Sequence, residues 1–295
     1  MPVLRCLGIF LVVLLRGSAR SLIPKQLPPL LRTLSVGIPI AVAGTAIAVE
    51  AYSRLPAKFI FGSNPRPVRP FEEDDLLIIF PGAGGPDENT SNLAKAVINS
   101  DKYRGIKRHV EVYDWSPWKG NLIRASFDGQ NVGKCIGQQL ANAQNGLKSI
   151  HVVGVSVGAF AADSCASSFQ EIVRKRSAAK PYVRLTLLDP FTQRGLFGVK
   201  YGFKMFGKTA DYCEQYMNTD DPVPSTNDPI SQAYVYDVTA SKARNSFTPL
   251  PGDNMHSWPV AYYGREWDSV LNSDGTLYQP VHDTEKQRGK VVKIP

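Results

Sequence analysis

From Asp75 onward the chain repeats one pattern, a short and nearly unbroken apolar run followed by a longer segment of helical character. The runs are DLLIIFPG (75–82), HVEVYDW (109–115), IHVVGVS (150–156), VRLTLLD (183–189) and AYVYDVT (233–239), with DYCEQYMN (211–218) as a less apolar candidate. Strands this apolar have no face to give to water, so they must be covered on both sides. The intervening segments supply the cover. In one of them Val132, Ile136 and Leu140 recur at four-residue intervals, which places them on one helical face. Another begins after Ser156 as VGAFAADSCASSFQEIV. The alternation predicts an α/β protein with a mainly parallel sheet and helices on both faces. Pro- and Gly-bearing stretches at 54–70 and 219–230 mark a domain entry and a surface loop. We expect a presequence over residues 1–60, one domain over 61–295, and a loosely held polar tail after Tyr278.

The presequence reads in two parts. MPVLRCLGIFLVVLLRGSARS has an early Arg, an apolar stretch from Leu7 to Leu15 and then small residues, the layout of a signal peptide over about residues 1–20. A second apolar segment, Leu34–Tyr52, is nearly long enough to span a bilayer but carries Pro39 and two glycines. The expected location is the secretory route or the exterior, with plastid delivery through a two-part presequence or membrane anchoring as alternatives. The formal charge of +8 suggests nucleic acid until it is mapped. Residues 1–60 hold seven basic residues and one acid, which leaves 27 basic and 25 acidic residues for the rest. A body this nearly balanced excludes nucleic acid as the expected partner. Outside the presequence, Cys135, Cys165 and Cys213 form neither an even disulfide set nor a metal-ligand spacing. They read as free thiols. Asn89-Thr90-Ser91 is a lone glycosylation sequon.

Two of the apolar runs end on a residue that can do chemistry. In parallel sheets binding groups gather at the carboxyl ends of the strands, and there lie Ser156, within Gly-Val-Ser-Val-Gly, and Asp189. A G-x-S-x-G turn between strand and helix lifts a serine oxygen clear of the backbone. The bland alternative is a serine that caps a helix. A serine hydroxyl needs a base, usually histidine. His109 and His151 open strands at the far end from Ser156, and His282 lies in the polar tail. By elimination the base is His256, in PGDNMHSWPVAYY. The acid must hold that imidazole, and Asp189 is favoured over Asp221, in NTDDPVP, and Asp237, in YVYDVT. An Asp-Pro turn is the structural alternative for Asp189. The amides of Val157 and Ala83, the latter in PGAGGP (81–86), are the expected donors to an oxyanion. That loop lacks the Lys-Ser/Thr ending of a phosphate-binding P-loop. Between acid and base, 191–208 interleaves aromatic residues with Arg194, Lys200, Lys204 and Lys208. It suits either a cap meeting lipid or an ordinary packed excursion.

These residues resemble the lipase superfamily of α/β-hydrolases, in particular its pancreatic-lipase-like pattern. IIFPGAGG is similar to that family's oxyanion strand and loop, VEVYDWS to the strand after it, and VVGVSVGA to the nucleophile turn. LLDP is similar to the acid turn and DNMHSWPVAYY to the histidine segment, so the likeness spans about residues 75–265. It implies an α/β-hydrolase fold and cleavage of carboxylic, lipid acyl esters through an acyl-serine, with Ser156, Asp189 and His256 as triad. The sequence departs from the family at Pro81, where His is common, and at Val155, where His is usual. It also lacks the disulfides of the secreted animal branch, which points away from triglyceride. An acid at Asp221 would instead resemble the fungal-type lipases. No metal or organic cofactor is expected. The alternatives are a catalytically inactive lipid-binding or scaffold protein, and thioester or amide cleavage by the same groups.

Overall fold

The computed structural model describes residues 29–55, 64–116, 118–143, 146–176, 180–272 and 287–295. The signal segment, Cys6 and His282 lie outside the described residues. Seven strands form one sheet in the order β2-β1-β3-β4-β5-β6-β7, and every neighbouring pair is parallel. They are β1 (Asp75–Phe80), β2 (His109–Val112), β3 (Ser149–Val155), β4 (Tyr182–Leu188), β5 (Tyr212–Met217), β6 (Tyr234–Asp237) and β7 (Val291–Lys293). The six apolar runs account for the first six strands.

Strand alternation divides the core into two layers. Leu76, Ile78 and Phe80 face one way, among Val132, Ile136, Leu140 and Phe160. Leu77 and Ile79 face the other way, among Leu93, Val97, Trp258 and Tyr263. The first layer is covered by α3 (Ala125–Ala143) and α4 (Ala159–Arg176), the second by α2 (Glu88–Arg104) and α6 (Trp258–Asn272). Helix α2 has clear local signals. Asp87 accepts the Thr90 N–H at 2.8 Å, Thr90 Oγ1 accepts the Asp87 N–H at 3.1 Å, and Gly105 closes the helix in the left-handed region.

Helices α3 and α4 pack closely because α3 presents glycine where they cross. A Cβ on Gly133 would fall inside the van der Waals envelope of the Ala161 carbonyl, and one on Gly137 inside that of Cys165. Because α4 begins directly after Ser156, this contact also fixes where the serine turn sits.

One expectation needs correction. The tail is not loose throughout, because Val291–Lys293 pairs with β6 through Val235↔Val291 and Tyr236↔Val292. The segment is apolar and partly β-branched, and β6 offers it an unpaired edge. Val291 packs on one layer, and Val292 and Ile294 on the other. His151, at the far end of its strand from Ser156, is a buried structural residue. It is 6% exposed within β3 and hydrogen-bonded to Thr186 Oγ1 at 2.8 Å. The second apolar segment, Leu34–Tyr52, lies in α1 (Pro29–Arg54). The end of α1 docks on the body, where buried Arg124 donates to the carbonyls of Tyr52 (2.5 Å) and Leu55 (2.6 Å). Among the described residues no helix is long and apolar enough to cross a membrane. Cys135, Cys165 and Cys213 are free.

Gly133→Ala should lower unfolding stability in urea by about 1–3 kcal/mol, the usual cost of overpacking a filled site. Gly264→Ala in α6, where the added methyl would meet Leu93 at 3.8 Å, should be neutral or slightly stabilising. Equal effects at the two positions would refute the close-packed α3–α4 crossing.

Candidate active site

The β3–β4 register pairs Val155 with Leu188. The next residue of each strand is therefore Ser156 and Asp189, emerging side by side at the carboxyl edge. Both have left-handed backbones, with φ of 52° and 45°. That conformation is uncommon for residues other than glycine and is kept where surroundings enforce it. Around Ser156 they do. A Cβ on Gly154 would lie 2.7 Å from the Ala159 Cα, and one on Gly158 would lie 2.6 Å from the Pro81 carbonyl oxygen. Strand, turn and helix are therefore too close for larger residues at the two flanking positions. The Ser156 carbonyl is held by the Phe191 N–H at 3.0 Å.

The loop after β1 runs against this turn. A Cβ on Gly82 would lie 3.2 Å from Ser156 Cβ and 3.8 Å from its Oγ. Ala83 packs half-buried on the core, and Val157 is buried. The two residues expected to supply oxyanion donors thus belong to the serine turn itself and to the loop packed against it.

His256 sits in the single-turn helix Met255–Ser257, whose start is fixed by the Asn254 side chain accepting the His256 N–H at 2.8 Å. Its Nδ1 lies 2.7 Å from Asp189 Oδ2. The other Asp189 oxygen accepts the Asn218 N–H at 2.9 Å, and Asn218 Nδ2 donates to the Met255 carbonyl at 2.8 Å. Asn218 therefore ties the acid to the turn carrying the base. It is a site residue that the sequence reading missed, although its place immediately after β5 is the kind of position that gathers function. The far ring nitrogen, Nε2, is buried and has no hydrogen-bond partner among the described residues. The Ser156 hydroxyl is not hydrogen-bonded to it, a looseness common in sites without substrate.

Asp221 is brought to the same ring, its Oδ1 3.8 Å from His256 Nδ1. Asp237 is not, and instead accepts the Thr239 N–H at 3.0 Å. His109 stays at the opposite end of the sheet, stacked on Phe71. Ligand atoms of Asp189, Asp221 and His256 lie within 4.8 Å of one another, a spacing that a cation could share. A 2.7 Å N···O separation is instead that of a charge-assisted hydrogen bond, with the Nδ1 proton occupying the gap. The cavity lined by Phe169, Arg174, Lys180 and Asp211 lies at the other end of β4 and touches none of these groups.

The electrostatics follow from burial and charge. Burial pulls the His256 imidazole down, but Asp189 and then Asp221 pull harder, and the ring is held up at about 9. Burial pushes the Asp189 carboxyl up to about 7 against the opposing pull of His256. Asp221 is also opposed by burial, yet it stays below the usual carboxylate range because His256, Asp189 and the Val223 N–H act on it. Two carboxylates facing one ring nitrogen therefore favour the imidazolium at neutral pH.

Comparison with protein-family models, curated proteins and solved structures finds no match.

The His256 ring should titrate near pH 9 by NMR, whereas buried His151 should stay neutral well below the usual histidine range. Because the folded value lies above the ordinary 6.5, this group's contribution to stability is full below pH 6.5 and is lost as pH rises through about 9. A His256 midpoint at or below 6.5 would contradict the carboxylate contacts.

Proposed function

We propose that the protein is a serine hydrolase of lipase/esterase type with an α/β-hydrolase fold, cleaving acyl esters through an acyl-serine intermediate. The observation that carries this reading is the 2.7 Å Asp189–His256 pair, set beside a serine on a strained strand-to-helix turn. The chain order serine, acid, histidine also agrees with that fold.

In the proposed reaction, which uses the neutral form of the His256 ring and so speeds up as pH rises toward about 9, Ser156 Oγ attacks the ester carbonyl carbon while its proton passes to His256 Nε2. Asp189 holds the ring through Nδ1–H and stabilises the imidazolium that forms. The N–H groups of Val157 and Ala83 receive the oxyanion. Collapse of the tetrahedral intermediate breaks the carbon–oxygen bond, and Nε2–H protonates the departing alcohol. Water then attacks the acyl-Ser156 ester by the same route, which frees the acid and restores the serine. The ring must close onto Oγ when substrate binds, since the free chain lacks that hydrogen bond.

A surface patch supports a lipid acyl ester as substrate class. Among the described residues, nine of the twelve exposed large apolar side chains fall on three elements. They are Val42, Ile47, Tyr52 and Leu55 in and just after the second half of α1, Leu122 and Ile123 in the turn that leads into α3, and Phe197, Val199 and Met205 in the 191–208 segment. These elements are tied together. Asn121 Nδ2 donates to Tyr52 Oη at 3.2 Å, and Glu50 Oε2 accepts the Leu196 N–H at 2.7 Å. Exposed Arg54, Lys200 and Lys204 lie among them. An apolar patch edged with cations matches an anionic lipid surface. The 191–208 segment buries some of its aromatic residues and exposes others. Phe206 is fully buried and Tyr201 stacks on Phe160, whereas Phe197 and Val199 are 46% and 60% exposed.

A fluorophosphonate probe should label the protein on Ser156. Ser156→Ala should abolish labelling, and His256→Ala should lower ester turnover by about four orders of magnitude or more. A wild-type protein that binds lipid but is never labelled would instead be a non-catalytic binder. On vesicles containing anionic phospholipid, Phe197→Ser with Val199→Ser should weaken binding about tenfold or more, and added salt should weaken it further. Unchanged binding would remove the patch from the reading.

A further inference from the structure

Asp189 and Asp221 leave adjacent strands, β4 and β5, and both direct an oxygen at Nδ1 of His256, at 2.7 and 3.8 Å. Both carboxylate side chains are fully enclosed. Enclosing two acids beside one base is costly unless both charges are used. Nor is Asp221 a loop residue that has merely strayed close. Its Oδ1 accepts the Val223 N–H at 2.6 Å and its Oδ2 accepts from buried Thr226 Oγ1 at 3.3 Å. The loop that carries it is turned by Ser225 in the left-handed region. The Ser225 carbonyl in turn accepts both the N–H (3.0 Å) and the hydroxyl (2.8 Å) of Thr192, three residues after Asp189. The segments that carry the two acids are therefore tied to one another at the sheet's edge.

We propose that Asp221 is a second acid of the site, a positioning residue that shares the imidazolium charge with Asp189 and can receive the Nδ1 proton in its place. The inference rests on the hydrolase reading for its kinetic consequence, but not for its electrostatic one. At 2.7 Å, Asp189 takes the hydrogen bond. At 3.8 Å, Asp221 contributes charge without one, until a shift of about 1 Å brings it within bonding range. The titratable groups facing the ring are these two carboxylates, one after β4 and one after β5. Asn218 and Asn254, which position the same turn, are neutral. An opposite charge at such distances shifts a titration by about 1–3 units, so removing Asp221 should lower the His256 midpoint.

The test uses the full chain with Asp221→Asn, Asp189→Asn and the double variant. Asparagine keeps an acceptor for the Val223 N–H while removing the charge. The first readout is the His256 NMR titration, which needs no activity. Asp221→Asn should lower its midpoint by about one unit, and the double variant should lower it further. The second readout is the pH profile of kcat/KM on a p-nitrophenyl ester. Its alkaline-rising limb should move to lower pH in Asp221→Asn by the same amount. Asp189→Asn alone should retain at least about tenfold more activity than the double variant, the signature of a substitute acceptor. If Asp221→Asn fails to fold by circular dichroism, Asp221→Ser carries the same expectations. A His256 midpoint unmoved by loss of Asp221 overturns the proposal, as does an Asp189→Asn variant no more active than the double. Ester turnover absent from wild type, with the titration shift present, would sink the hydrolase reading and leave the paired acids standing.

Discussion

Parallel pairing of three central strands is the constraint on which this molecule depends. Parallel register carries each strand's last residue to the same edge, so Val155↔Leu188 and Leu188↔Tyr216 bring Ser156, Asp189 and the residues beyond β5 together. In that ladder the Asp189 N–H also donates to the Tyr216 carbonyl at 2.8 Å, so the turn bearing the acid is sewn to β5 before any side chain acts. A slip of one residue would invert both faces and scatter the edge. The full burial of Leu76–Phe80, Val152, Val153, Leu185, Leu187 and Leu188 resists such a slip.

What the sequence made legible is what strand periodicity and turn chemistry encode. Six apolar runs became six strands, and Val132, Ile136 and Leu140 became a buried face. Elimination among the histidines reached the ring that lies 2.7 Å from the Asp189 carboxylate, and Asp189 rather than Asp221 holds the shorter contact. Three features stayed hidden for definite reasons. Asn218 works through a backbone N–H and a carbonyl 37 residues away, which no local pattern reports. The role of β7 depends on a free edge of β6, which is a property of the assembled sheet. Asp189 and Asp221 both approach the ring, at 2.7 and 3.8 Å, because their strands are neighbours in the sheet. A chain read as a line invites one acid, whereas adjacent strand ends can supply two.

His151 was also read as remote from the serine, and its role is structural. It belongs to a polar knot in the sheet's other half, where Thr186 Oγ1 donates to Glu214 at 2.6 Å and Arg184 pairs with the same carboxylate at 2.7 Å. Every buried charge there has a partner, so the network is satisfied from within. The contrast with His256 is physical. Its Nε2 lacks any such partner, and an enclosed polar atom left open costs stability unless a ligand completes it.

The hydrogen bond from the Leu196 N–H to Glu50 gives the stretch ahead of the body an unexpected standing. Glu50 lies in a region that composition alone would assign to a disposable leader, yet it braces the segment between the acid and the base, and Arg124 grips the carbonyls beside it. Maturation that trimmed the chain upstream of residue 42 would leave this brace in place. A cut between 56 and 63 would take it away, and with it the carboxylate that holds the Leu196 N–H.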